Sequence, residues 1–340
     1  MNDTLFARTD LPEGFLDVSA REVHKLLPQP TLITCPGERE DALFVTILQH
    51  GNEDTGWRAV QALLREYRHR PLPRRLLLFV ANVHAAREAV RHLPEQMDFN
   101  RAWPGTDHAP CVETSLMKAV HDAVAAQPLF AAIDVHNNTG SNPHYAAFNR
   151  LDRRCVQLAR FFSNTMVYFE QPHGVMTQAL APHCPAVVLE CGKVGNAAGT
   201  EHARAFIDAC LNMPRIPDDP VGSHEVDLFH SVARLRLSSD AEFGFDTPHR
   251  ALSLDPDIDK HNFQELPYGT VLGSIKGPIR DQLHVLDEAG NDATDRYLSA
   301  DGGQLRLQRS VMPSMLTLDE EIVRQDCLCY FMERVTAQIS

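Results

Sequence analysis

His50, Gly51, Asn52 and Glu53 follow an apolar run, Phe44-Val45-Thr46-Ile47-Leu48, and lead toward a helical pattern that begins near Trp57. A histidine at the end of a buried strand, with a glutamate one turn later, puts an imidazole and a carboxylate on the same side of the chain. These are two of the three protein ligands that a catalytic zinc uses, the fourth position being left for water. Spacing alone decides nothing here. His-x-x-Glu occurs twice in the chain, close to what chance allows, and the other instance, His92/Glu95, contains Pro94, follows no apolar run and reads as a solvated loop. Context separates the two, because ligand-bearing loops cluster at the strand ends of open α/β sheets.

Two further apolar runs end in chemistry-bearing residues. Leu129 to Val135 runs into His136, and Pro185 to Leu189 runs into Glu190. In a parallel sheet the carboxyl ends of the strands lie along one edge, so residues far apart in sequence converge there. His50, Glu53 and His136 then make a two-imidazole, one-carboxylate set for one Zn2+ per chain, a set that also suits other divalent ions. Asp134 falls on the same strand face as His136 and is placed to orient a ligand. A metal acidifies water and polarises a carbonyl. A nearby carboxylate must take the proton and pass it to the leaving nitrogen, and Glu190 is the candidate. An arginine must steady the oxyanion, and a second arginine with an amide partner can hold a substrate carboxylate. The stretch 91–101 offers Arg91 for the first task and Asn100 with Arg101 for the second. Each residue alone also has a plain structural reading: a core histidine, a turn-capping acid, a solvated arginine. The conjunction is what favours a site.

The elements that must position these residues alternate strand and helix. Strands are expected at 31–34, 42–48, 76–80, 129–136, 145–148, 165–169 and 185–190, with helices at 57–68, 113–126, 151–162 and 201–211. Residues 91–110 form a long polar loop anchored by Phe99 and Trp103. Continuous apolar strands interleaved with helices indicate a mixed, largely parallel sheet covered by helices. Three prolines within 214–220 mark a change. Beyond them, shorter strands with period-2 alternation and frequent turn signals indicate a smaller β-rich C-terminal domain. The expected division is 1–220 for the catalytic domain and 221–340 for the β-rich one.

Composition is that of an ordinary globular chain: 340 residues, 44% hydrophobic and 23% charged. The net charge of −13 argues against a general nucleic-acid binder. No apolar run is long enough to span a membrane. The first residues lack a basic start and apolar core, and the eight cysteines form no Cys-x-x-Cys. A cytoplasmic protein with reduced thiols is therefore expected. A homo-oligomer is allowed but not required.

Four motifs in order, His50-Gly51-Asn52-Glu53, Asp98-Phe99-Asn100-Arg101, Asp134-Val135-His136-Asn137-Asn138-Thr139 and Leu189-Glu190-Cys191-Gly192-Lys193, resemble the succinylglutamate desuccinylase/aspartoacylase family of the zinc-carboxypeptidase superfamily. The resemblance covers about residues 42–212. It implies a carboxypeptidase-like fold, zinc on His50, Glu53 and His136, Glu190 as general base, Arg91 near the scissile carbonyl and Asn100 and Arg101 on a substrate carboxylate. It also implies hydrolysis of the amide joining an acyl group to the nitrogen of an amino acid. The chain departs from aspartoacylase at Thr177–Ala181, where an arginine that binds the substrate is missing. No motif assigns Tyr268, Tyr297 or Tyr330 to the site.

The first reading is thus a zinc-dependent amidohydrolase acting on a small-molecule carboxylate. A zinc carboxypeptidase on short peptides shares the same machinery. A non-catalytic metal-binding protein is the third reading, and the presence of both the base and the arginines argues against it.

Overall fold

A computed structural model describes residues 5–222 and 224–335. Its strands, in chain order, are β1 (Phe6–Arg8), β2 (Thr31–Cys35), β3 (Gly37–Ile47), β4 (Leu72–Val80), β5 (Leu129–His136), β6 (Tyr145–Phe148), β7 (Thr165–Phe169), β8 (Ala186–Glu190) and β9 (Asp227–Leu237). They continue as β10 (Phe243–Phe245), β11 (Leu252–Leu254), β12 (Val271–Ile275), β13 (Leu283–Asp287), β14 (Leu298–Asp301), β15 (Gln304–Leu307), β16 (Met312–Ser314) and β17 (Cys329–Arg334). The helices are α1 (Thr55–Glu66), α2 (Val83–Glu88), α3 (Val112–Ala125), α4 (Arg153–Arg160), α5 (Met176–Leu180), α6 (Ala197–Asn212), α7 (Thr294–Tyr297) and α8 (Glu320–Gln325).

The apolar runs become the centre of a 12-stranded mixed sheet, ordered β1-β2-β4-β3-β5-β8-β6-β7-β9-β17-β16 with β13 on β9. Strands β4, β3, β5 and β8 are mutually parallel, so their carboxyl ends share one edge. Their side chains alternate between two buried faces, as strands covered on both sides must. Leu43, Val45 and Ile47 join the core that includes α1 and α6, whereas Ala42 and Phe44 join the core that includes α3 and Trp103. Phe99 and Trp103, the two loop anchors, are fully buried.

The main sheet does not stop at the proline-rich stretch. β9 pairs in parallel with β7, and β17 pairs with β9. The smaller five-stranded sheet, β10-β11-β12-β15-β14, packs in a second core around Phe243, Leu252, Leu272 and Leu305, which it shares with β9, β13 and β17 of the main sheet. Two helical segments differ from expectation. α6 starts a turn earlier than the apolar period indicates, because the Asn196 side chain caps it by accepting from the Ala198 amide at 2.9 Å. α5 is only five residues long and carries too few turns for a period to show. All eight cysteines are free. Among the described residues no helix is long and apolar enough to cross a membrane.

Candidate active site

β3 ends at Ile47, and the chain leaves the sheet at Leu48, whose φ of 58° lies in the left-handed region that a leucine seldom occupies. Backbone strain of this kind persists only where the surroundings hold it. Three residues on, Gly51 lies directly against α2: a Cβ there would stand 2.1 Å from the Ala85 carbonyl carbon. A side chain at position 51 would lift the whole His50–Glu53 turn away from the sheet edge.

That turn brings His50 and Glu53 beside His136 at the end of β5. Glu53 Oε1 lies 2.8 Å from His50 Nδ1 and Oε2 lies 2.9 Å from His136 Nδ1. Both imidazoles therefore turn Nδ1 toward the Glu53 carboxylate, and one ligand-type atom from each of the three residues falls within 4.8 Å of the others. The three residues are buried. Burial alone would raise the Glu53 carboxyl, but the two imidazoles outweigh it and hold the group below the usual carboxylate range. Glu53 Oε2 also accepts from the Asn137 amide at 3.0 Å, which fixes the carboxylate's orientation.

The far nitrogen of each ring faces another carboxylate. His50 Nε2 lies 3.2 Å from Asp98 Oδ1, and His136 Nε2 lies 2.9 Å from Asp134 Oδ2, an ion-pair contact without good hydrogen-bond alignment. Burial pulls the His136 imidazole down, but Asp134 and Glu53 carry it well above its ordinary value. Asp134 is itself held by the Gln49 amide, which in turn accepts from the Trp103 indole at 2.7 Å. A carboxylate stands behind each imidazole, hydrogen-bonded to His50 and in ion-pair contact with His136, the kind of backing by which proteins orient histidines for a metal. The donor set and its backing thus fit a divalent ion such as zinc. A second set, Glu170, His230 and Glu288, is partly exposed and contains a His230–Glu288 contact of 2.6 Å, which accounts for it without an ion.

Glu190 ends β8 in register with His136 on β5 and Tyr145 on β6. It is 8% exposed, and burial pushes its carboxyl up to about 8. Asn138 Nδ2 donates to its Oε2 at 2.7 Å, leaving Oε1 toward the cleft that the residue lines.

The loop 91–101 supplies the cleft's arginines. Arg91, Asn100 and Arg101 line it together with His50, Glu53, His136 and Glu190, so all seven sequence-derived candidates meet in one place. His92 and Glu95 do not line it. Arg91 donates to Asp98 Oδ2 through Nε and Nη2, at 3.1 and 2.8 Å. Asp326 meets both arginines: its Oδ2 is 3.2 Å from Arg91 Nη2 and 3.0 Å from Arg101 Nη2. Burial opposes ionisation of Asp326, yet the two guanidiniums hold its carboxyl down at about 2.

Sequence reasoning missed Asp326 and Tyr330, which line the cleft from the second half of the chain. Of the three tyrosines without a motif, Tyr330 reaches the cleft, Tyr268 is 67% exposed and Tyr297 belongs to the second core. Asp98 was visible as part of a motif, but only its contact with His50 reveals what it does.

A sequence profile of the succinylglutamate desuccinylase/aspartoacylase catalytic domain matches residues 42–215. No curated protein matches the sequence. Among solved structures, the succinylglutamate desuccinylase from Chromobacterium violaceum superposes with a TM-score of 0.56 at 17% identity, over 87% of this chain and 85% of that one. A succinylglutamate desuccinylase/aspartoacylase from Rhodobacter sphaeroides gives 0.58 at 16%, over 89% and 88%. Murine aminoacylase 3 gives 0.55 at 15%, over 89% and 98%. At these identities the structural likeness speaks for the fold.

Proposed function

The chain belongs to the succinylglutamate desuccinylase/aspartoacylase family, and from that membership we propose that it hydrolyses the amide bond of an N-acyl amino acid with one zinc held by His50, Glu53 and His136. The observation that carries this reading is the meeting of those three residues with Glu190 and the two loop arginines in one cleft. A divalent ion bound there would supply Lewis-acid polarisation of the scissile carbonyl and would acidify water.

The remaining work falls to the chain's own groups. Glu190, in its ionised form, takes the proton of the attacking water on Oε1 and delivers it to the leaving nitrogen. Asn138 keeps the other carboxylate oxygen fixed, so the base presents one defined lone-pair direction. Arg91, locked by Asp98, is a rigid donor for the oxygen on which negative charge develops. Asn100 and Arg101 serve the substrate's carboxylate. Asn100 would donate through its side-chain Nδ2, and Arg101 engages Asn100 O and Asp326 with donors to spare. The substrate is then a small carboxylate, and the protein works in the cytoplasm, without nucleic acid or a membrane as partner.

Amine release from a panel of N-acyl amino acids and short peptides, using chelated and zinc-restored protein, tests the reading. Zinc-dependent release from acylated amino acids is the expected result. Release of C-terminal residues from peptides alone would make the protein a carboxypeptidase instead.

A further inference from the structure

The cleft has two unlike sides, and the difference follows from strand register. Val188 precedes Glu190 by two residues on β8, so both point to the same face. Ala147 on β6 pairs with Val188, and Val167 on β7 pairs with Ala147, which makes one apolar row across three strands. Phe169, two residues beyond Val167, continues it as far as its β9 partner Ser231, and Val175 and Met315 line the cleft too, with Tyr145, Gln171 and Ser314 as its neighbouring polar groups. Ala147, Val167 and Val188 are each 5–7% exposed and belong to a small apolar cluster separate from the main core. The alternate residues Ala146, Met166 and Leu189 point the other way, into the main core.

The cleft's cationic side chains come from the 91–101 loop. Among the described residues, Arg91 and Arg101 are the cleft's arginines, no lysine lines it, and both arginines already meet Asp326. A second carboxylate placed against the Val188–Ala147–Val167 row would lose its hydration with no cationic side chain in that row to meet it, which is unfavourable. An apolar group there gains by leaving water.

We propose that this cleft selects a substrate whose group beyond Glu190 is an uncharged aliphatic or aromatic one, and that it rejects a second carboxylate at that position. The inference rests on the deacylase reading for the rest of the substrate. The same chemistry could come from the amino acid's side chain or from the acyl chain. Burying a side chain of leucine or phenylalanine size corresponds to roughly a ten- to hundredfold preference.

The test is calorimetric binding to zinc-loaded Glu190→Gln protein, with amine release by the unmodified protein measured in parallel. One arm compares N-acetylleucine and N-acetylphenylalanine with N-acetylaspartate and N-acetylglutamate. The other compares N-hexanoylglycine with N-succinylglycine. The expected result is that in one arm the apolar member binds at least tenfold more tightly, which also names the source. Val167→Lys in the same background should erase that preference while the zinc content is unchanged. Val167→Thr, nearly isosteric and safer for folding, should weaken the apolar ligand several-fold. Equal or tighter binding of the acidic members, no binding by any ligand, or indifference to both Val167 substitutions overturns the proposal. Apolar preference without amine release would sink the deacylase reading and leave this inference standing. Amine release with preference for the acidic members would do the reverse.

Discussion

The carboxylate of Asp326 stands 3.0 Å from Arg101 Nη2 and 3.2 Å from Arg91 Nη2, so one acid from the second half of the chain joins the two arginines of the 91–101 loop. The loop has little regular structure beyond the short turn Phe99–Arg101. Its arginines are therefore aimed by ion pairs rather than by a helix or strand. Asp326→Asn keeps the shape and removes the charge. It should lower kcat/KM at least tenfold and destabilise the protein by up to about 3 kcal/mol, since breaking a buried pair leaves charge uncompensated. Steady-state kinetics and thermal melts of the variant check both effects.

The carboxylates behind the imidazoles should matter to the metal more than to the fold. Asp98→Asn and Asp134→Asn each remove the charge that faces a far ring nitrogen. Metal affinity should fall about 10–100-fold in each, as is usual when a ligand's hydrogen-bonded partner is lost. Competition with a chromophoric chelator measures it, and an unchanged affinity would remove that carboxylate from the account.

Much of this arrangement was legible in the chain because its central strands are short apolar runs that stop at a polar residue. Ile47, Val135 and Leu189 mark those ends, and His50, His136 and Glu190 follow them. Parallel packing does the rest, since it puts every such end on one edge. Asp326 and Tyr330 had no comparable signal. They sit in Asp326-Cys327-Leu328-Cys329-Tyr330, which has no strand-end context, and reach the cleft only because β17 pairs with β9 and β9 with β7. The proline-rich stretch hid the same fact: a change in composition marks where the connection is irregular, not where a sheet ends.

Glu190 gives the metal-free protein a pH signature. Burial raises its carboxyl to about 8, so the folded state holds a proton that the unfolded chain has released. The stability this group contributes is fully present below the ordinary glutamate range, about 4.3, and is lost as the pH rises through about 8. Glu190→Gln cannot ionise and escapes that loss. The chelated variant should melt within a degree of the parent near pH 4.5 and a few degrees above it at pH 8.5. Equal melting temperatures at both pH values would contradict the raised carboxyl.

Gly51→Ala tests whether the ligand turn needs its close contact with α2. A Cβ would be forced to within 2.1 Å of backbone that has no freedom to move away cheaply. A loss of about 1–3 kcal/mol is expected for overpacking of this kind, together with a loss of bound metal, because His50 and Glu53 flank the residue. Chemical denaturation and metal analysis read the two effects separately.

The central claim is that Glu190 is the base beside a metal held by His50, Glu53 and His136. Turnover and metal content of Glu190→Gln, measured on the same preparation, test it most directly. The account expects about one zinc per chain, as in the parent, with the rate of amine release lowered by a factor of about 10²–10⁴. A variant that keeps its zinc and turns over within tenfold of the parent would contradict it.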